Sequence, residues 1–315
     1  MACVSSVSYS FLIKGSPKGR VIPSRGLRQG DPLSPYLFIL CTEVLSGLCQ
    51  RAQECGHLPD IKVANGSPPI NHLLLADDTM FFCRSSQKSC NRLMEIITRY
   101  GEASGQVINF NKSTITFSNK SPLAVKLAAK LTLGISKEGG VGKYLGLPEH
   151  FGQRKRDIFT SIVDKIRQRS HSWTTRFLLV AGKQILLKSL LAAMPLYAMS
   201  CFKLPISLCK RIQFVLTRFR WDDKPDKKKL SWVSWDKLTL PKLEGGLRFR
   251  EIEQFNDALL ARISWKILHF FNSLLARVLL GKYCHDQTFL KVSTSSFCSH
   301  GWRSILAGRE ILKRD

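Results

Sequence analysis

The sequence predicts a protein of the α+β class, in which an antiparallel sheet backed by helices is followed by a helical region. In residues 1 to about 120 the patterns run in the order strand, turn, strand, helix, strand. From about residue 150 onward, apolar residues recur at helical spacing alone. We therefore predict three parts, at residues 1–149, 150–220 and 221–315.

The first elements are a hairpin and a helix. Residues 7–23 contain two short apolar runs around a Gly- and Pro-containing turn at residues 14–19, which predicts a β-hairpin. Ser34 is a candidate N-cap and Pro35 suits a first helical position, which predicts a helix to about Arg51. Its predicted buried face consists of Leu37, Leu40, Val44 and Leu48.

Two adjacent carboxylates, Asp77 and Asp78, lie between the apolar runs Ile70–Leu75 and Met80–Phe82. This pattern predicts a second hairpin with both carboxylates at its turn, where they could share a Mg²⁺ ion. A hairpin turn without a metal is the alternative. The other Asp-Asp pair of the chain, Asp222-Asp223, lies in a polar stretch and has no such flanks.

Further elements follow the carboxylates. A helix over residues 86–100 is predicted to bury Cys90, Leu93, Ile97 and Tyr100 and to end at Gly101 and Gly105, and a strand is predicted at residues 106–110. Beyond residue 150 we predict a helix that Asp157 caps and that buries Phe159, either Ile162 or Val163, and Ile166. Further helices are predicted over residues 178–194, 206–219 and 251–280, with a polar linker at 221–229.

Composition indicates a nucleic-acid partner. The 48 Lys and Arg residues outnumber the 23 Asp and Glu residues, which leaves a formal charge of +25. Such a charge attracts the phosphate backbone of a nucleic acid, although a basic structural protein is the alternative. No segment has the roughly 18 uninterrupted apolar residues of a membrane span, so we expect no membrane partner.

The cysteines indicate a reducing compartment. The ten cysteines are scattered through apolar stretches and none is spaced as Cys-x-x-Cys. Four candidate zinc ligands, Cys284, His285, Cys298 and His300, lack the short spacing of structural zinc sites. We expect an intracellular location, with the nucleus favoured and an organelle as the alternative, because the Ser-rich basic N-terminus reads better as a strand and turn than as a transit peptide.

Four sequence blocks carry a family resemblance. They are Arg25–Pro35, Ala76–Asp78, Asn109–Ser113 and Tyr144–Pro148. In this order they resemble successive blocks of the reverse transcriptase of plant LINE-type (non-LTR) retrotransposons, and Gly245–Arg250 is similar to the region after the polymerase core. The resemblance implies a partial polymerase palm at 1–149, a helical thumb-like region at 150–220 and a C-terminal helical extension at 221–315.

The resemblance also implies roles for residues. Asp77 and Asp78 would be catalytic and would ligate Mg²⁺, and Lys112 would be the general acid, although an exposed lysine at a strand end is equally ordinary. Tyr144, Leu145 and Gly146 would form the primer grip. Template and incoming nucleotide would contact Arg25, Gly26, Arg28, Gln29 and Gly30. The two glycines alternatively shape only the turn before the helix.

The chain departs from the family at the first metal-binding aspartate. In the family this residue precedes the Arg25–Pro35 block, but residues 1–30 contain no Asp or Glu. We therefore expect an N-terminally truncated reverse transcriptase that does not polymerise alone. Its partners would be an RNA template, an RNA–DNA hybrid or DNA primer, and deoxynucleoside triphosphates. A non-catalytic nucleic-acid-binding protein derived from the element and an intron maturase-like RNA-binding protein are the alternatives.

Overall fold

The computed structural model describes residues 6–24, 26–139, 143–144, 147–148, 155–172, 178–222, 227–285 and 287–313. These residues form a mixed α+β fold with small antiparallel sheets, which confirms the predicted class. The chain divides into two compact units. The first unit contains residues 1–62 and 69–140, and the second contains residues 63–68 and 141–315. The three-part division at 149 and 220 stays a prediction.

The first unit is built from three helices and short strands. Its elements are β1 (Tyr9–Ile13), β2 (Ser16–Val21), α1 (Ser34–Glu54), β3 (Ile61–Lys62), β4 (Pro69–Ile70), β5 (His72–Leu75), β6 (Asp78–Phe81), α2 (Gln87–Ser104) and α3 (Leu123–Leu133). The described strands of this unit pair only as β1–β2, β3–β4 and β5–β6, each pair antiparallel.

The N-terminal hairpin is where the sequence predicts it. Lys14 and Gly15 connect β1 to β2 with φ angles of 49° and 79°. Two consecutive residues with positive φ are typical of the type I′ turn, whose twist matches that of paired strands. The turn is therefore shorter than the predicted 14–19, and Ser16 already belongs to β2.

The predicted strand over residues 106–110 is wrong. Residues 105–109 have an irregular backbone and lead into a turn at 110–112. Val107 is 84% exposed, so the apolar residue of the alternating pattern has no surface to bury it. The nearest sheet-like contact is a single bridge between Ile115 and Glu138.

Helix α1 confirms the predicted helix and only part of its predicted buried face. Leu48 packs against the core and Leu37 is half-buried, whereas Leu40 and Val44 are 65% and 59% exposed. The buried residues of the helix are Leu45, Cys49 and Ala52. The reason is that α1 carries two apolar stripes, and the described chain covers the one that faces α2 and β5.

Ser34 does not cap α1, contrary to the prediction. Leu33 occupies the cap position, and its N–H donates a hydrogen bond to the Asp31 carboxylate at 2.8 Å. Ser34 is instead the first helical residue, and its hydroxyl donates to the Arg28 carbonyl at 2.7 Å. Asp31, and not Ser34, accepts a backbone N–H at the start of the helix, because Asp31 lies in the turn that leads into α1.

Helix α2 agrees closely with the prediction. The Ser86 hydroxyl accepts the Ser89 N–H at the start of the helix, and Gly105 ends it with a φ of 72°. Cys90, Leu93 and Tyr100 are buried as predicted, and Ile97 is partly buried. These side chains pack with α1 and α3 to form the core of the first unit.

The second unit is mainly helical. Its elements are β7 (Lys143–Tyr144), β8 (Leu147–Pro148), α4 (Lys155–Ser172), α5 (Val180–Leu186), α6 (Leu196–Cys201), α7 (Ile206–Trp221), α8 (Trp235–Thr239), α9 (Ile252–His269), α10 (Leu274–Tyr283) and α11 (His300–Leu312). A π-helical turn, Leu187–Leu191, continues α5, and a 3₁₀ turn, Lys242–Glu244, follows α8.

Two helical predictions in this unit need comment. Phe159, Val163 and Ile166 of α4 are buried as predicted, but the helix begins at Lys155, before the predicted cap Asp157. The single helix predicted over 251–280 is wrong, because α9 and α10 are bent by 89° at their junction. Ser273 causes the new start: its hydroxyl accepts the Ala276 N–H and caps α10.

No described helix is by itself long and apolar enough to cross a membrane. The bent pair of α9 and α10 meets the length and composition of a span only when its two helices are taken together.

Replacing Leu45 and Leu40 by alanine distinguishes the two stripes of α1. Leu45→Ala removes core contacts and is expected to lower the stability of the first unit by about 2–5 kcal/mol. Leu40→Ala is expected to change it by less than about 0.5 kcal/mol, since both residues favour helix and the site is exposed. Amide hydrogen exchange of α1 measures both changes in stability. Tryptophan fluorescence would not report on the first unit, because all six tryptophans lie in the second unit. Equal protection in the two variants would contradict the assignment of the buried face.

Candidate functional site

The two adjacent carboxylates lie at the closed end of the β5–β6 hairpin, called here the carboxylate hairpin (residues 72–81). Leu75 pairs with Asp78 in the last register position, which leaves Ala76 and Asp77 as a two-residue turn. Both carboxylate residues are exposed. The hairpin predicted from the flanking apolar runs is therefore present, with Asp77 in the turn and Asp78 at the start of β6.

The turn of the carboxylate hairpin is strained at Ala76. Its φ of 50° lies in the left-handed region, which costs a residue with a Cβ atom about 1–2 kcal/mol. Such strain persists where the surrounding structure fixes the backbone, and it is common at functional sites. Below the turn, Leu74 and Phe81 pack against the core of the first unit.

Asn71 anchors the base of the hairpin to α1. Its side chain is 5% exposed and donates to the Cys49 carbonyl at 2.8 Å. Its own carbonyl accepts the Phe82 N–H at 2.8 Å, just beyond the end of β6. One residue therefore connects the helix with both ends of the hairpin.

His72 makes a second connection to α1. Its Nε2 lies 2.9 Å from the Ser46 hydroxyl, and its Nδ1 contacts the Asn71 side-chain oxygen. Burial lowers the pKa of His72, and the nearby Glu43 carboxylate opposes this shift. The sequence analysis did not single out Asn71 or His72. The signal was available as two polar residues within the apolar run that leads to the carboxylates.

The donors of the hairpin suit a hard cation. Mg²⁺ takes oxygen ligands and is commonly held by one or two carboxylates together with substrate phosphates and water. In the part of the chain that the structure describes, the side-chain carboxylates of Asp77 and Asp78 have no hydrogen-bond or ion-pair partner. No three His, Cys, Asp or Glu residues form a metal cluster among the described residues. The pair therefore fits as one side of a metal site.

The Arg25–Pro35 block forms the loop before α1. Arg25 lies outside the described residues, and Arg28 and Gln29 are exposed. Gly30 has a φ of 84°, and the Asp31 N–H then bonds back to the Arg28 carbonyl. Gly26 has a φ of 83°. The two glycines thus shape this loop, and the predicted contacts with template and nucleotide stay predictions.

The remaining predicted residues lie in other turns. Lys112 is exposed in a turn that Asn109 closes by accepting the Lys112 N–H. No hydrogen bond or ion pair joins Lys112 to Asp77 or Asp78 in the described residues. Tyr144 pairs with Leu147 across β7 and β8. Leu145 and Gly146 of the predicted primer grip lie outside the described residues.

Comparison with known proteins identifies similarity over much of the chain. Residues 3–156 match the family described as reverse transcriptase (RNA-dependent DNA polymerase), and this range includes every predicted site residue. An uncharacterized mitochondrial protein of Arabidopsis thaliana is 44% identical over 123 residues, which cover 39% of this chain and 80% of that protein.

Two further relatives are similar over different lengths. Another uncharacterized mitochondrial protein of A. thaliana is 78% identical over 69 residues, which cover 22% of this chain and 57% of that protein. An uncharacterized 149 kDa protein of transposon TX1 from Xenopus laevis is 27% identical over 231 residues, covering 70% of this chain and 16% of that protein. The chain thus spans a small part of the transposon protein and just over half of the more identical plant relative.

The pKa shift of His72 predicts a pH dependence of stability. Because burial favours the neutral imidazole in the folded state, the unfolded chain binds the proton more readily below the ordinary pKa of 6.5. The His72 contribution is therefore complete above pH 6.5 and is lost as the pH falls. We expect His72→Gln to flatten the decline of the free energy of unfolding between pH 7 and about pH 5.5.

Urea unfolding followed by far-UV circular dichroism measures this dependence. The matched control is His269→Gln, which changes an exposed histidine of the second unit. The control is expected to keep the pH dependence of the unchanged chain. If His72→Gln keeps it as well, burial of the imidazole does not govern this transition.

Proposed function

The chain belongs to the reverse transcriptase (RNA-dependent DNA polymerase) family, and from this premise we propose that its carboxylate hairpin supplies part of a magnesium site for nucleotidyl transfer. The observation that carries the proposal is the exposure of Asp77 and Asp78, without partners among the described residues, at the closed end of an anchored hairpin. Carboxylates held in this way are accessible to a cation and to the phosphates that the cation binds.

The chemistry proposed for the hairpin is two-metal phosphoryl transfer. Bound Mg²⁺ would supply positive charge that stabilises the attacking and leaving oxygens, and carboxylates would hold it in place. Asp77 and Asp78 would provide ligands from this chain. Lys112, exposed in its separate turn, would donate a proton to the leaving pyrophosphate or neutralise its charge.

The proposed substrates are an RNA template, a DNA or RNA–DNA primer duplex and deoxynucleoside triphosphates. The charge of +25 supports a polyanionic partner. The exposed loop with Arg28, Gln29 and Gly30 would contact the template and incoming nucleotide. Similarity to a transposon protein supports a retroelement origin of the LINE type over an intron maturase.

The proposed location is the nucleus, where a DNA target and the element's RNA meet. Two relatives are named as mitochondrial proteins, which makes the organelle the alternative to be tested. Localisation of a fluorescent fusion distinguishes the two.

We further propose that this chain does not extend a primer by itself. Support comes from the absence of Asp and Glu in residues 1–30, since two Mg²⁺ ions need more carboxylate ligands than the hairpin provides. Loss of a bridging ligand weakens the charge stabilisation of the transition state, and each 1.4 kcal/mol lost lowers the rate about tenfold.

Iron-directed cleavage tests the metal site without requiring catalysis. Fe²⁺ occupies oxygen-ligand sites and, with peroxide, cuts the backbone beside it. With a deoxynucleoside triphosphate present, we expect cleavage near Asp77 that excess Mg²⁺ suppresses and that Asp77→Asn/Asp78→Asn abolishes. The control Asp60→Asn changes another exposed aspartate of the first unit and is expected to leave the cut unchanged. Cleavage at the hairpin that survives the double substitution would exclude this site.

Primer extension tests the proposed inactivity. The purified chain, supplied with Mg²⁺, an RNA template and a DNA primer, is expected to add no nucleotides. Extension that requires Mg²⁺ and disappears in Asp77→Ala would show a complete active site and would refute the inactivity while supporting the role of the hairpin. Extension that survives Asp77→Ala would refute both.

A further inference from the structure

Two cations from different elements of the second unit lie against one buried aromatic ring. Lys188 Nζ, in the π-helical turn after α5, is 5.6 Å from the ring centroid of Phe249. Arg220 Cζ, near the end of α7, is also 5.6 Å from that centroid. Phe249 is 4% exposed and packs on Trp235, with ring centroids 5.3 Å apart. The ring therefore fixes both charges in one place.

Two more cations approach the same place. After burial, the charges of Lys242 and Arg248 are the next causes that lower the pKa of Lys188. Such an effect requires positive charges near enough to repel the Lys188 ammonium. Lys188, Arg220, Lys242 and Arg248 are called here the Phe249 cation cluster.

The loop that carries Lys242 and Arg248 has a fixed shape. The carbonyl of Leu238 accepts the N–H groups of Leu247 and Phe249 at 3.0 and 3.1 Å. Arg248 has a φ of 54°, and its N–H bonds to the Leu240 carbonyl at 3.0 Å. Gly246 permits this close return, because a Cβ atom there would lie 2.0 Å from the Leu240 carbonyl oxygen. The positions of the two cations therefore follow from the backbone.

The cation cluster is not neutralised within the described chain. None of its four members forms an ion pair with an acidic residue that the structure describes. Glu244, in the same 3₁₀ turn as Lys242, forms none either. Arg220 Nε and Nη1 are buried without a hydrogen-bond partner among the described residues. A fixed group of like charges without an anion is destabilising, and a bound anion removes the repulsion.

We propose that the Phe249 cation cluster binds the phosphate backbone of a nucleic acid. The exposed side chains of Lys188, Lys242 and Arg248 make the phosphate contacts. Arg220, partly buried and stacked 5.4 Å from the centroid of Trp221, strengthens the positive field behind them. The net charge of +25 favours a polyanion over a single phosphate group. The site lies outside residues 3–156 and therefore adds a contact beyond the proposed metal site.

Salt-dependent binding tests the cluster in the full chain. Fluorescence anisotropy of a short labelled RNA–DNA hybrid is measured in EDTA across a series of NaCl concentrations. Each phosphate contact contributes about 0.9 to the slope of log K against log salt concentration. We expect Lys188→Gln/Arg248→Gln to reduce this slope by about 2 units.

The matched control removes two charges from another element of the same unit. Arg262→Gln/Lys266→Gln changes two exposed cations of α9 and is expected to leave the slope unchanged. Equal losses in the two double variants would overturn the site, because net charge alone would then explain binding. Because the measurement is made in EDTA, its result does not depend on the proposed metal site.

Two further measurements keep the test decisive. Tryptophan fluorescence during urea unfolding checks that the double variant is folded. If it is unfolded, Lys242→Gln is compared with the control Lys266→Gln. Lys242→Gln is then expected to lower the slope by about 1 unit. Competition with inorganic phosphate and with phosphatidylserine vesicles distinguishes other anions. If the cluster variant loses vesicle binding or phosphate binding while its hybrid slope is retained, the nucleic-acid assignment is overturned.

Discussion

The buried side chain of Asn71 is the contact on which the arrangement of the first unit depends. It lies where the chain enters β5, donates to the Cys49 carbonyl of α1 and accepts, through its backbone, the N–H that follows β6. A two-stranded hairpin is marginal alone in water, so it needs such an attachment. Leu74 and Phe81 then supply the apolar contacts that hold the hairpin against the core. The strained turn at Ala76 persists because both strand ends are fixed below it.

Local patterns predicted the elements of this unit well and their packing less well. The carboxylate hairpin follows from apolar runs on both sides of Asp77 and Asp78, and α2 follows from its spacing and its caps. The predicted buried face of α1 was wrong at Leu40 and Val44 because the helix carries two apolar stripes, and choosing between Leu40 and Leu45 requires knowledge of the elements packed against it. The strand at 106–110 failed for the same reason, since alternation is stable as a strand only with a partner.

In the candidate sites, too, local sequence predicts some features and the fold decides the others. Adjacency in sequence brought Asp77 and Asp78 together, so their proximity was predictable. The anchors Asn71 and His72 act through α1, some twenty residues earlier, and only the folded chain shows which carbonyl and hydroxyl they contact. The members of the cation cluster are even farther apart in the sequence. A loop that returns on itself at Gly246 places Arg248 near enough to Lys188 for their charges to interact, and a count of charges gives their number without their positions.

The carboxylate hairpin and the Phe249 cation cluster carry opposite charges, and each lacks an ion-pair partner among the described residues. In the proposed metal site, the carboxylates of the hairpin would hold a cation whose remaining ligands would be oxygens of water and phosphate. The cations around Phe249 repel one another until an anion is bound, because the described chain places no acidic partner beside them. The nucleic acid and the nucleoside triphosphate that we propose as substrates would supply phosphates to both sites, even though the sites carry opposite charges. The excess of Lys and Arg thus has a local meaning: a fixed set of these cations has no acidic ion-pair partner among the described residues, and the phosphate backbone that we propose as its ligand would supply the missing negative charge.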